Sequence, residues 1–520
     1  GGVVSGEHGI GITKLKHLDP AAVAELTAHR TRVDPDGVMN PKKLADQSVI
    51  DQVFTPSFNL LELEAKILQY DQLSELADRI SKCVRCGKCK PSCCVYYPRA
   101  SLFYHPRNKN LGIGSLIEAL LYEAQRFRTT DFESLKYLED VADHCTICHK
   151  CLDPCPVKID TGEVSILERE VLVARGTKKT ALATRLTLAY LDSTNRTFNA
   201  LFRLLVLRLG TAAQRLGAGL LGALRLPEVA ARRWPLAMLR SPVRAPARRA
   251  LHRALPVYQP SQALVIEPEE AAERTVFYFP GCGSERLYSD VGKAAIYLLL
   301  QARCRVVMPP PLLCCGFPSG VNAKARMHDR KVLSDTIVFS QIRGMLSHLS
   351  FDALAVSCGT CREALQSMGA HEIFECPLVD VSELAVERGA PVPATGHLLY
   401  HRPCHDSLDG RGPALLAGRG ATTESVPHCC SEAGTLALSR PDLAHKMLTR
   451  KASALLEAGD GARVPPLVTN CPSCLQGLAR HHRAGPAPEH LAVLLARTRG
   501  GEEWQEALSA AMQRAEAVTF

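Results

Sequence analysis

The sequence predicts a multidomain chain in which a mainly helical, cysteine-rich module precedes two α/β repeats. Three observations carry this prediction. Two cysteine quartets, Cys83-Cys86-Cys89-Cys93 and Cys145-Cys148-Cys151-Cys155, share one spacing. A set of five cysteines then occurs twice: Cys282, Cys314, Cys315, Cys358 and Cys361, followed by Cys404, Cys429, Cys430, Cys471 and Cys474. Past Glu270, short β-branched or aromatic runs alternate with helical stretches, the pattern of a parallel sheet between helices.

Taken in order, residues 1–47 read as strand, turn and helix with a Pro/Gly-rich close, and Asp19 before Pro20 marks a helix start. A helical pattern from Ser57 to Ile80 leads into the first quartet, and residues 66–165 are expected to form one helical module around both quartets. Residues 166–270 read as a helical, arginine-rich linker, dense in proline from Pro227 to Pro268. "TVFYFPGC", "CRVVMPP" and "DALAVSC" read as buried strands of a first repeat over 271–385. "GHLLYHRPC" and "PPLVTNCPSC" do the same for a second over 396–490, and a C-terminal helix is expected over 491–520.

The bulk numbers exclude several classes. At 520 residues and 46% apolar content the chain can build cores without disulfide staples. Its 21 cysteines crowd into short motifs, which favours metal ligation. The net charge of +9 has one source: residues 201–253 hold eleven arginines, no lysine and one acid, Glu228, leaving the remainder close to neutral. Such a segment is either a solvated linker or a surface for anionic lipid or an acidic partner. No run reaches the roughly 18 charge-free apolar residues of a membrane span, and "LGAGLLGAL" from Leu216 is too short. Peripheral attachment to a membrane surface is expected, and no nucleic-acid partner.

The quartet spacing C-x2-C-x2-C-x3-C is that of bacterial ferredoxins, whose fourth cysteine ligates the other cluster. Crossed ligation assigns Cys83, Cys86, Cys89 and Cys155 to one [4Fe–4S] cluster, and Cys145, Cys148, Cys151 and Cys93 to the other. Cys94 stands where proline is expected, as an alternative ligand or a softer turn. Zinc normally takes two separated C-x2-C pairs, and disulfides inside such tight turns would be strained. For the five-cysteine sets three readings stay open: an iron–sulfur cluster of unusual connectivity, four ligands plus a redox-active spare cysteine, or a structural zinc with one buried thiol. Cys304 and Cys376 fall outside every set and read as packed core thiols.

These motifs carry a resemblance. "FPGC", "CCGFP", "SCGTC", "YHRPCH" and "CPSC", after a ferredoxin pair, resemble the iron–sulfur subunit of glycolate oxidase. They are also similar to the membrane-docked subunit of anaerobic glycerol-3-phosphate dehydrogenase and to heterodisulfide reductase, whose repeats hold noncubane [4Fe–4S] clusters. Ser431 departs from the family by replacing the glycine that follows the cysteine pair. "SGEHGIG" with "DPDGVMNPKKL" is similar to the end of FAD-linked oxidases of the D-lactate dehydrogenase and glycolate oxidase type.

That second resemblance implies a short α+β remnant of such an oxidase at 1–47. Glu7 would help bind a divalent metal, His8 would serve as base, and Gly6, Gly9 and Asn40 would line the cofactor. FAD itself would sit on an upstream part, so the chain is expected to be the C-terminal portion of a fusion, inactive alone toward the hydroxy acid. The implied function is electron transfer from FAD through [4Fe–4S] clusters to a quinone or other carrier, at the cytoplasmic side of a membrane. The alternatives are a heterodisulfide-type thiol/disulfide reductase and a zinc scaffold.

Overall fold

The computed structural model describes residues 17–39, 71–96, 104–127, 138–224, 236–393, 396–417, 421–432, 435–459, 464–481 and 487–520. The chain divides into two units, Gly1–Leu60 and Leu61–Phe520. In the first, the helix Pro20–Val33 starts as expected: the Asp19 side chain accepts from the Ala21 N–H, with proline at the first helical position. Asp34 closes it by accepting from the Val38 and Met39 N–H groups. Gly6, Glu7, His8, Gly9 and Asn40 lie outside the described residues.

The second unit opens with three packed helices, Asp71–Ser81, Pro106–Phe127 and Thr161–Ala174. Leu73, Leu76, Ala77 and Ile80 recur at helical spacing and are fully buried, facing Ile113, Ile117, Val171 and Leu172. The cysteine loops hang from these helices. Arg169, buried on the third helix, donates to the carbonyls of Ala142 and Cys145 and, at 2.6 Å, to that of Val321, tying the loops to the first repeat.

Among the described residues ten strands follow in chain order: β1 Gln262–Ile266, β2 Arg274–Phe279, β3 Cys304–Met308, β4 Ala353–Val356, β5 Leu378–Asp380, β6 Gly396–His401, β7 Ala421–Ser425, β8 Leu467–Thr469, β9 Glu489–His490 and β10 Ala515–Thr519. One sheet has the order β10-β1-β3-β2-β4-β5, the other β7-β6-β8-β9. The segment β3-β2-β4-β5 is parallel and matches β7-β6-β8-β9 strand for strand, so the sequence repeat is a structural repeat. Runs such as "TVFYF" are apolar on both faces because helices cover both sides of a parallel sheet.

Two expectations are corrected. Residues 262–266 belong to the first sheet rather than to a linker, because their β-branched and apolar run pairs antiparallel with β3. The C-terminal segment is not one helix: after Leu491–Gly500 and Trp504–Ala511 the chain turns into β10, which caps the free edge of β1 from Gln262↔Thr519 to Ile266↔Ala515.

The arginine-rich segment also differs from a plain linker. Residues Arg196–Ala223 form one helical run of 28 residues with a π-helical stretch at Arg203–Gly210. An 18-residue window of mean hydropathy 1.2 makes it long and apolar enough to cross a membrane by length and composition, although the nine-residue apolar stretch alone is not. Only 6% of that window is buried. One side is nonetheless tied to the protein. Arg196 donates to the Tyr258 carbonyl and Arg203 to those of Arg286 and Ala247. Gln214 donates to the Leu239 and Ser241 carbonyls and accepts from the Val243 N–H.

Candidate metal centres

All 21 cysteines are free thiols. In the three-helix module the two C-x2-C-x2-C loops adopt the same left-handed turns. Arg85 (φ 58°) and Gly87 (φ 76°) are matched by Ile147 (φ 49°) and His149 (φ 54°). A β-branched residue rarely takes this conformation, so the loop around Ile147 is held there by its surroundings. Cys83, Cys86, Cys89 and Cys155 line one small cavity, the crossed set expected from the spacing. Burial pushes the Cys89 thiol up to about 11, with Cys83 and Cys155 adding to it. The Ile159 N–H donates to Cys155 Sγ at 3.2 Å.

The other crossed set is assembled less fully. Cys93 and Cys151 each lie in the field of Cys145, and the Tyr96 N–H donates to Cys93 Sγ at 3.4 Å. Cys148, however, turns its thiol to Cys94 and Cys404. Cys94, the residue in place of proline, thereby faces the second repeat: its sulfur and those of Cys404 and Cys429 lie within 4.8 Å of one another.

In both repeats the cysteines collect beyond the carboxyl ends of the strands. The chain passes from the central strand (β2 or β6) to one neighbour and then across to the other, which opens a crevice there. Cys282 follows β2 and Cys404 follows β6. Cys358 and Cys471 are the N-caps of the helices Gly359–Ser367 and Pro472–Ala479, and Cys361 and Cys474 lie in their first turns. The N-terminal dipole favours a thiolate at such a place; Cys358 is held low by hydrogen bonds from Cys361 and Cys471, whereas hydrogen bonding to neighbouring cysteines pushes Cys361, Cys471 and Cys474 up. Ser431 (φ 71°) keeps the left-handed turn that Gly316 (φ 79°) makes in the first repeat, so the missing glycine leaves the loop intact. Its N–H donates to Cys429 Sγ at 3.4 Å.

The sulfurs form one series. Cys282 meets Cys314, which meets Cys315; Cys315 meets Cys361, and Cys361 meets Cys358. Cys358 touches Cys471 of the second repeat, and from there contact runs through Cys474, Cys430 and Cys429 to Cys404. The Cys404–Cys429 separation is 3.6 Å. Cys404 then meets Cys148 and Cys94 of the helical module. In each repeat the first cysteine of the adjacent pair is held low: Cys314 by hydrogen bonds from Cys282 and Cys315, Cys429 by those from Cys404 and Cys430. Cys304 and Cys376 lie apart in the core, each pushed up to about 11 by burial.

Each repeat also holds a buried cation that the motifs did not reveal. Arg286 is fully buried beside Cys282 and donates to the carbonyls of Tyr190, Leu191, Ser193 and Leu312 and to Asn199 Oδ1. Lys451 is equally buried, donating to the Val426 and Pro427 carbonyls at 2.9 Å; burial lowers it to about 8 against the pull of Cys430, Cys474 and Cys429. Such cations offset the charge of clustered thiolates. A polar joint links the three modules. His149, lowered by burial but raised further by Asp160 to about 9, reaches Glu363 Oε1 at 3.5 Å; Glu363 also meets His405, whose Nε2 is 2.9 Å from the Ile147 carbonyl.

Grouped thiols without disulfides, amide donors to sulfur and buried cations fit iron–sulfur clusters. The 4Fe-4S dicluster domain family matches residues 79–159, which span both quartets. This is an iron–sulfur electron-transfer chain. The Cysteine-rich domain family matches 276–366 and 398–479, and the C-terminal domain of FAD linked oxidases matches 1–44. The chain is 23% identical over 481 residues to a probable glycolate oxidase iron-sulfur subunit of Bacillus subtilis, covering 84% of this chain and 98% of the relative. Over 231 residues it is 28% identical to lactate utilization protein A of Exiguobacterium, 40% of this chain and 91% of that one. It is 24% identical over 217 residues to a fumarate reductase (CoM/CoB) subunit from Methanothermobacter marburgensis, 38% of this chain and 40% of the relative. The iron–sulfur chain thus spans about two fifths of the length of the archaeal relatives it matches.

Proposed function

We propose that the chain is the electron-transfer portion of a flavin-dependent D-2-hydroxyacid dehydrogenase of the D-lactate or glycolate class. The observation that carries this reading is the unbroken series of sulfurs from Cys148 and Cys94 through both repeats to Cys282. In this reading Cys83, Cys86, Cys89 and Cys155 hold one cluster and Cys145, Cys148, Cys151 and Cys93 the second; each five-cysteine set holds a further one. When bound, the clusters supply one-electron transfer. The chain's own residues space them, shield them from water, and balance their charge through Arg286 and Lys451. FAD on the upstream part is the electron source, and Glu7 and His8 belong to its active site. A quinone or other carrier is the acceptor, reached from the inner face of the membrane.

The test is reconstitution. With the flavin-binding part supplied, the chain should couple oxidation of D-lactate or glycolate to reduction of a quinone analogue; without it, neither acid should be oxidised. Robust turnover by the chain alone would contradict the reading. The similarity to the CoM/CoB fumarate reductase favours a second one, in which the repeats exchange electrons with thiols and disulfides. Disulfide reduction by the dithionite-reduced chain would select it.

A further inference from the structure

His401 ends β6, three residues before Cys404. The equivalent place in the first repeat, three residues before Cys282 at the end of β2, belongs to Phe279. Both side chains are 1% exposed. Phe279 does what a core position asks, packing edge-on against Phe339 at 5.9 Å between ring centres. His401 does not: neither ring nitrogen has a hydrogen-bond partner among the described residues. A buried imidazole left this way forfeits the hydration of both nitrogens, a cost that natural sites meet with a partner or a metal. Two sulfurs stand ready. A ring nitrogen of His401 and the sulfurs of Cys430 and Cys474 lie within 4.8 Å of one another, all buried. The nearby Lys451 ammonium donates to the Val426 and Pro427 carbonyls and makes no hydrogen bond to the ring among the described residues.

We propose that His401 is a metal ligand, completing with Cys430 and Cys474 a mixed thiolate–imidazole centre in the second repeat. The first repeat, with Phe279 in that position, holds an all-thiolate centre. The two repeats share a backbone and a cysteine pattern but not a donor set. An imidazole at this place is a neutral donor, whereas a thiolate there would add negative charge and lower the potential of the centre. The second repeat adjoins the helical module through Cys94 and Cys148. The proposal rests on the reading that the repeats hold clusters.

The experiment uses the holoprotein purified without oxygen, labelled with 15N-histidine. Pulsed EPR of the reduced protein should show a strong coupling to a directly bonded nitrogen on one centre and none on the others. His401→Phe should abolish that coupling while leaving the dicluster signals intact. His401→Cys should restore a centre of lower potential in redox titration, which a merely structural histidine would not do. A paramagnetic second-repeat cluster without nitrogen coupling, or a coupling that survives His401→Phe, overturns the ligand assignment. Metal analysis separates failure of the underlying reading. Zinc in the second repeat would overturn the cluster; zinc released by His401→Phe would still uphold His401 as ligand, and zinc retained would overturn it.

Discussion

Gly281 shows how closely these sites are built at the scale of one residue. Its φ is +65°, and a Cβ there would stand 2.5 Å from Cys361 Sγ, inside contact distance of a candidate ligand. Gly281→Ala is expected to remove the metal of the first repeat and leave the dicluster signals, as read by metal content and EPR. Cys155→Ser should cost the cluster built on Cys83, Cys86 and Cys89 and spare that on its sequence neighbours, because Cys155 lines the distant cavity. Selective loss of the neighbours' cluster would contradict crossed ligation. Glu168 offers a pH test away from the metals. It is fully buried, neither carboxylate oxygen has a partner among the described residues, and burial raises it to about 8. The folded state keeps a proton that the unfolded state has lost, so this residue destabilises progressively as pH rises from about 4.5 to about 8. Glu168→Gln should raise the melting temperature at pH 8 and change little at pH 4; an equal effect at both would contradict this.

At the scale of elements, the helical run Arg196–Ala223 is the piece whose role the packing leaves most open to measurement. At 1.5 Å per residue it is about 42 Å long. Its bonds through Arg196, Arg203 and Gln214 lay one side on the body of the second unit, while Leu201, Leu205, Leu209, Leu216 and Leu220 face outward. A helix held along its flank cannot cross a bilayer without breaking those bonds, but it can lie in the interface. Arginines at an anionic surface contribute about 1 kcal/mol each and are screened by salt. Sedimentation with anionic vesicles at low salt should carry the protein down, and high salt or neutral lipid should release it. Binding that is absent, or equal for both lipids and indifferent to salt, would reduce the segment to a linker.

For the whole molecule, legibility followed chemistry. The cysteine spacings were readable because ligand geometry constrains residue type and interval together, and the strands at "TVFYF", "CRVVM" and "LLYH" because parallel strands are apolar on both faces. β1 and β10 were not. The five-residue β10, "AEAVT", is a strand only because β1 leaves a free edge beside it, a tertiary fact without a local signal. Arg286 and Lys451 were missed for a similar reason: one cation in a sequence rich in cations does not announce that it is buried. His401 did leave a trace, a histidine in the repeat position that holds phenylalanine in the first copy. Cys148 and Cys94 show the limit of spacing, since only the fold places them against the second repeat.

The central claim is that these thiols hold a relay of iron–sulfur clusters that continues from the dicluster module through both repeats. Iron and acid-labile sulfide counted on the oxygen-free protein, with Mössbauer spectra of the same sample, test it most directly. Two four-iron clusters account for about eight irons. The account predicts a count clearly above that, with matching sulfide and spectral components beyond those of two cubanes. Iron that stops at about eight with zinc in the repeats would break the relay, and stoichiometric zinc with no labile sulfide would contradict the claim outright.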